Sequence, residues 1–129
     1  MLIASLAQSQ RIPKKFLELI LLELRNAGIL GSKKGKGGGY FLARSPASVS
    51  IGEVIRILDG PFAPVPCVSQ SAYRTCEECK DEATCGIRAV MQNVRDATSQ
   101  ILDHESLANL LKHEEILEQK KSQTVAYAI

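Results

Sequence analysis

What this chain lacks narrows its function first. No run of about eighteen apolar residues occurs, and the longest apolar stretch, Leu17 to Leu24, is interrupted by Glu18 and Glu23, so no membrane-spanning helix is credible. The opening Met1-Leu2-Ile3-Ala4 lacks the charged segment and long apolar stretch of an export signal, which argues for the reducing cytoplasm. No internal repeat is visible. The glycines around Lys36 lack the spaced Gly followed by Gly-Lys-Ser/Thr that a nucleotide phosphate loop needs. Histidine is scarce: His104 and His113 are the two in the sequence, and both read as surface residues.

What is present is unevenly distributed. The formal net charge is +2, yet residues 1–44 carry eight Lys and Arg against two Glu, while the rest carries eight against twelve Asp and Glu. A basic front joined to an acidic back is the asymmetry of a protein that meets a polyanion with one end, and nucleic acid is the obvious polyanion. The 129 residues, 45% of them hydrophobic, suffice for one cored domain with an appendage.

Leu2, Ile3, Leu6 and Ala7 repeat at helical spacing and predict a short helix ending near Gln10. Pro13 suits a first helical position, and Phe16, Leu17, Ile20, Leu21 and Leu24 mark the apolar face of a second helix from about Pro13 to Ala27, capped by Gly28. Two helices separated by about three residues form a helix-turn-helix candidate, the second entering the major groove. Two short apolar runs around the glycine-rich, basic segment Gly31 to Gly39 then predict a β-hairpin wing. Ser50 and Glu53 form a capping box that opens a helix over Ile51 to Leu58, with Ile51, Val54, Ile55 and Leu58 facing the core. Pro61, Pro64 and Pro66 predict an irregular loop from about Gly60 to Thr84. Beyond Cys85, Ile87, Val90, Met91, Val94, Ile101 and Leu102 predict a long helix to about Asp103, and Leu107, Leu110 and Leu111 continue an amphipathic pattern.

The fold class is therefore mainly α: a winged helix-turn-helix over residues 1–59, a cysteine-bearing loop over 60–84, a dimerisation helix region over 85–111 and a polar, flexible tail over 112–129. The apolar stripe of the long helix either packs on its own domain or joins two copies; a winged helix of about 60 residues is too small to cover it, which favours a homodimer.

Arg11, Lys14 and Lys15 surround the start of the second helix, and Lys33, Lys34 and Lys36 sit on the wing, where Gly37 and Gly38 let backbone N–H groups approach phosphate. Charge runs are usually solvated surface, but here the cations converge on the two elements a winged helix presents to double-stranded DNA. All four cysteines fall within nineteen residues, spaced Cys67-x8-Cys76-x2-Cys79-x5-Cys85. Soft thiolates in a flexible loop suit an iron-sulfur cluster; they also suit tetrahedral zinc, although a zinc ribbon offers two close pairs and only Cys76 and Cys79 form one. Buried thiols and a redox disulfide are the structural alternatives. A Cys-x-x-Cys oxidoreductase is disfavoured, since no βαβ pattern surrounds Cys76.

The stretch Ile12 to Glu18, the wing Gly35-Lys36-Gly37-Gly38-Gly39-Tyr40, the segment Ser50 to Ile55, and Cys67 with Cys79-x5-Cys85 together resemble the Rrf-type winged-helix transcription regulators, the IscR- and NsrR-like family. The resemblance runs from about Leu2 to Leu111. It implies a dimer crossed by the long helix, a palindromic operator, and a 2Fe-2S or 4Fe-4S cluster held by Cys67, Cys79 and Cys85 with one further ligand; zinc or no cofactor is the alternative. Cys76 is extra to the pattern, and it either replaces Cys79 as a ligand or supplies the fourth bond. A histidine three residues beyond the last cysteine completes the site in IscR-like members, and Arg88 stands there; in other members an acidic residue of the family's first helix does so. That first helix is expected to be missing before Met1, which would leave Leu2, Leu6, Phe16 and Leu21 partly uncovered. The implied function is a regulator, not an enzyme, that senses redox state, iron-sulfur status or nitric oxide.

Overall fold

The computed structural model describes residues 1–127. Helix α1 (Ile3–Gln10) ends with Arg11 in the left-handed region at φ 56°, which lets the Ile12 N–H reach back to the Ala7 carbonyl at 3.0 Å. Helix α2 (Lys14–Asn26) starts after Pro13 and stops at the expected glycine. Gly28, at φ 84°, donates to Arg25 O, and Ile29 N–H donates to Leu24 O, each at 3.0 Å, so two end carbonyls are satisfied and Ile29 is turned inward to 2% exposure.

Strands β1 (Leu30–Lys33) and β2 (Gly39–Leu42) pair antiparallel from Leu30↔Leu42 to Lys33↔Gly39. Gly31 lies opposite Phe41, whose ring occupies the space a Cβ would need. Met1 lines the other edge of β2, exchanging backbone hydrogen bonds with Tyr40. A 3-10 turn at Pro46–Ser48 leads to α3 (Ile51–Asp59), where the Ser50 hydroxyl accepts the Glu53 N–H at 3.0 Å. The Glu53 carboxylate is bound by Arg44 at 2.5 Å.

Two more 3-10 turns, Pro66–Val68 and Glu82–Thr84, punctuate the expected loop. Helix α4 (Gly86–Asp103) follows, and α5 (Leu107–Tyr127) carries helix well past Leu111, through most of the segment expected to be a polar tail. Residues 128 and 129 of that tail lie outside the described residues. The α4–α5 corner is stitched to the chain before α3: Ile51 N–H donates to Glu105 O at 2.7 Å and Leu107 N–H to Val49 O at 2.9 Å.

The apolar core comprises Leu17, Leu21, Ile29, Val49 and Val68. Two expectations change. Leu21, expected to be partly uncovered, is buried, whereas Leu6 is half-buried and Leu2 and Phe16 are exposed. In α3 the buried residue is Gly52, packed under Asp103 so tightly that a Cβ would lie 2.1 Å from Oδ1; Ile51, Val54 and Ile55 are half-buried and Leu58 is exposed. Close approach of α4 to the glycine places the tightest contact there, ahead of the larger side chains. No helix among the described residues is long and apolar enough to cross a membrane.

Candidate DNA-reading face and cysteine centre

At the basic face, Pro13 and the tight end of α1 set where α2 begins, so Arg11, Lys14 and Lys15 gather, all exposed, around its first turn. The unpaired N–H groups of that turn add to the positive potential. Across the hairpin, Gly35, Gly37 and Gly39 adopt φ of 96°, 75° and 141°, which only glycine takes without strain, and leave Lys33, Lys34 and Lys36 exposed. Gly38 departs from the expectation. It is buried, and its N–H is donated to Gly35 O at 3.0 Å inside the turn rather than offered outward. A Cβ there would lie 2.2 Å from Lys33 O, so Gly38 shapes the tip.

The cysteine segment is pinned from α4. The carbonyl of Cys67 accepts from Arg88 Nη2 at 3.4 Å, and that of Val68 accepts from Arg95 Nη1 at 2.6 Å. Cys76 and Cys79 leave a single turn closed by the Cys79 N–H donating to Cys76 O at 3.1 Å. Cys85 caps α4, its Sγ accepting the Arg88 N–H at 3.4 Å. A cavity of about 630 Å³ opens between these pieces, and Cys67, Cys76 and Cys85 line it together with Arg74 and Arg88. Cys79 lies off that lining, half-buried. Burial pushes its thiol pKa up, and the negative charge of Cys85, Glu82 and Cys76 pushes the same way. Tyr73 donates to Glu82, which holds the phenol above its ordinary value.

All four thiols are free. Among the described residues no three Cys, His, Asp or Glu side chains stand close enough to hold a metal ion, so the segment would have to draw in around one. Arg88 Nε is buried with no hydrogen-bond partner, the Glu82 carboxylate standing 3.9 Å away. Residues beyond the sequence expectations are Arg74 and Arg95, and the pair Arg56–Asp103, bidentate at 2.5 and 2.8 Å, which ties α3 to α4. The signal available for the first two was cationic residues scattered among carboxylates in the acidic half.

The family model described as Rrf2, iron-dependent transcriptional regulator, matches residues 1–113. The chain belongs to the Rrf2 family. It is 46% identical over 109 residues to an rrf2-like HTH-type transcriptional regulator of Rhodobacter capsulatus, covering 84% of this chain and 73% of that one. Among solved structures it resembles the global cysteine regulator CymR of B. subtilis, with a TM-score of 0.69 and 31% identity over 88% of this chain and 78% of the other. The T. potens IscR structure gives a TM-score of 0.67 and 27% identity over 88% and 70%. This Rrf2-family chain is thus a winged-helix transcriptional regulator and not an enzyme.

Proposed function

We propose that this Rrf2-family regulator binds palindromic double-stranded DNA as a cytoplasmic homodimer and holds an iron-sulfur cluster in its cysteine segment, which sets its grip on DNA. The observation that carries the reading is one cavity lined by three thiols and two arginines at the foot of α4. The donor set suits a cluster: thiolates are the ligands iron-sulfur centres take, and Arg88, whose Nε–H is buried without a partner, stands on the same cavity wall. Cys67 and Cys85 of the cavity wall would hold the group together with Cys79, which would have to move in from beside the lining, with Cys76 next to them. When bound, it supplies a centre that oxidant or nitric oxide can alter or remove.

The chain's own residues would carry that change. Arg88 and Arg95 hold the Pro66–Val68 turn to α4 by its carbonyls, and Asp103, at the far end of α4, is held by Arg56 of α3. A shift of the turn therefore moves a helix fastened to the reading half, residues 1–59. Along α4, Ile87, Val90, Val94 and Ile101 are exposed, an apolar stripe that supports pairing of two copies through residues 85–111. Arg11, Lys14, Lys15, Lys33, Lys34 and Lys36, with the Gly37 backbone, would meet phosphates. Two reading helices related by a two-fold axis need half-sites at matching spacing.

The test is an anaerobic absorption spectrum with iron and zinc analysis. A brown, iron-containing protein is expected, which loses colour and changes its DNA response when Cys67, Cys79 and Cys85 are replaced by Ala. A second reading, a metal-free or zinc-bound regulator answering thiol oxidation or a partner protein, is favoured by the likeness to the cysteine regulator CymR and by four unpaired thiols. A colourless protein that forms a disulfide under oxidant would establish it.

A further inference from the structure

A centre held by Cys67, Cys79 and Cys85 needs one more donor, and the described residues offer few. Arg88 touches the cavity but cannot serve, because a guanidinium stays protonated and has no lone pair to give. The histidines are engaged elsewhere: His104 Nδ1 lies 2.6 Å from Gln100 O, and His113 Nε2 lies 3.6 Å from the Glu105 carboxylate. Glu82 already accepts from Tyr73 and faces Arg88. Two candidate ligands remain on the cavity wall, Cys76 and Glu77. A thiolate is the softer and suits iron bound to sulfide better than a carboxylate does.

We infer that Cys76 is the fourth ligand, so that the site is all-cysteine, with Arg74 and Arg88 as its counter-cations. Cys76 shares the cavity with Cys67 and Cys85 and shares a backbone turn with Cys79, so closing of the segment around the cavity would bring the four thiolates onto one centre. Four thiolates around a dicationic core leave a doubly negative centre, and two arginines on the same wall match that charge. The inference rests on the cluster reading above and adds the identity of its last ligand.

The full-length chain, reconstituted anaerobically with ferrous iron and sulfide, tests it by absorption and by cluster lifetime in air. Cys76→Ala should shift the spectrum and shorten the lifetime by on the order of tenfold or more. Adding Arg88→His to that variant, which restores a neutral nitrogen donor one helical turn into α4, should recover most of the lifetime, and Glu77→Gln should change neither. Circular dichroism checks folding, and Cys76→Ser replaces Cys76→Ala should the latter unfold. A Cys76→Ala protein with the parent spectrum and lifetime, or the loss falling on Glu77→Gln instead, overturns the inference and leaves the cluster reading standing. A parent chain that takes up no iron overturns both.

Discussion

The chain before Gly60 and the chain between Gly60 and Cys85 are held by different means. The first is knit locally: a Schellman turn closes each of α1 and α2, a hydroxyl caps α3, a four-residue ladder forms the hairpin, and Leu17, Leu21, Ile29 and Val49 are buried among these elements. The second has two 3-10 turns and, in its core, Val68; much of its position comes from α4 arginines reaching its carbonyls. A segment with few buried apolar contacts opens at lower free energy than a ladder-bonded one, which suits the part that, in the proposed function, changes with the state of a bound cluster.

The largest expected blow to this contrast falls on the knit half. Ile29→Ala empties a fully buried site and should lower unfolding free energy by about 3 kcal/mol in chemical denaturation. On the same half but sparing stability, Lys14→Ala with Lys15→Ala should weaken binding to duplex DNA by roughly ten- to a hundredfold at moderate salt. The log-log salt slope should become shallower by about 1.8 in a titration, if each lysine meets one phosphate. Arg95→Ala sharpens the comparison from the other side: losing the bond to Val68 O should cost about 1 to 2 kcal/mol of local protection. Hydrogen exchange should then rise at residues 66–69 while the β1–β2 amides stay as slow as before. Smallest is the Arg56–Asp103 clasp. The hydrogen bond from Arg56 holds the Asp103 carboxyl below its ordinary value, so its contribution is fully present above about pH 4 and fades as pH falls through the lowered pKa. Being more than a third exposed on both sides, it should contribute about 0.5 kcal/mol, seen as the difference between the parent and Asp103→Asn in acid denaturation.

The two regions also differ in how legible they were. Periodicity, Pro13, Gly28 and the Ser50-x-x-Glu53 signature announce α1 to α3 and the hairpin because those elements are determined by neighbours in sequence. The extent of α5 was hidden, since a run such as Glu114, Glu115, Glu118, Lys120 and Lys121 carries no apolar stripe to mark a helix. The cysteine spacing revealed a gathering of thiols but not its internal order: Cys76 lines the cavity while Cys79 lies aside, and Cys67 is held by an α4 arginine 21 positions away, none of which is set by neighbours in sequence. The packing of Gly38 was hidden for a related reason, because glycine in a basic tip suits both an open backbone and a tight fold.

Arg11 sits in a backbone state that a non-glycine residue adopts only against a penalty of about 1 kcal/mol, at the corner where α1 hands over to the reading helix. Glycine there would ease the corner and at once remove a cation from the surface proposed to meet DNA. Selection for a sturdier fold and selection for a tighter hold on nucleic acid would therefore pull this one codon in opposite directions.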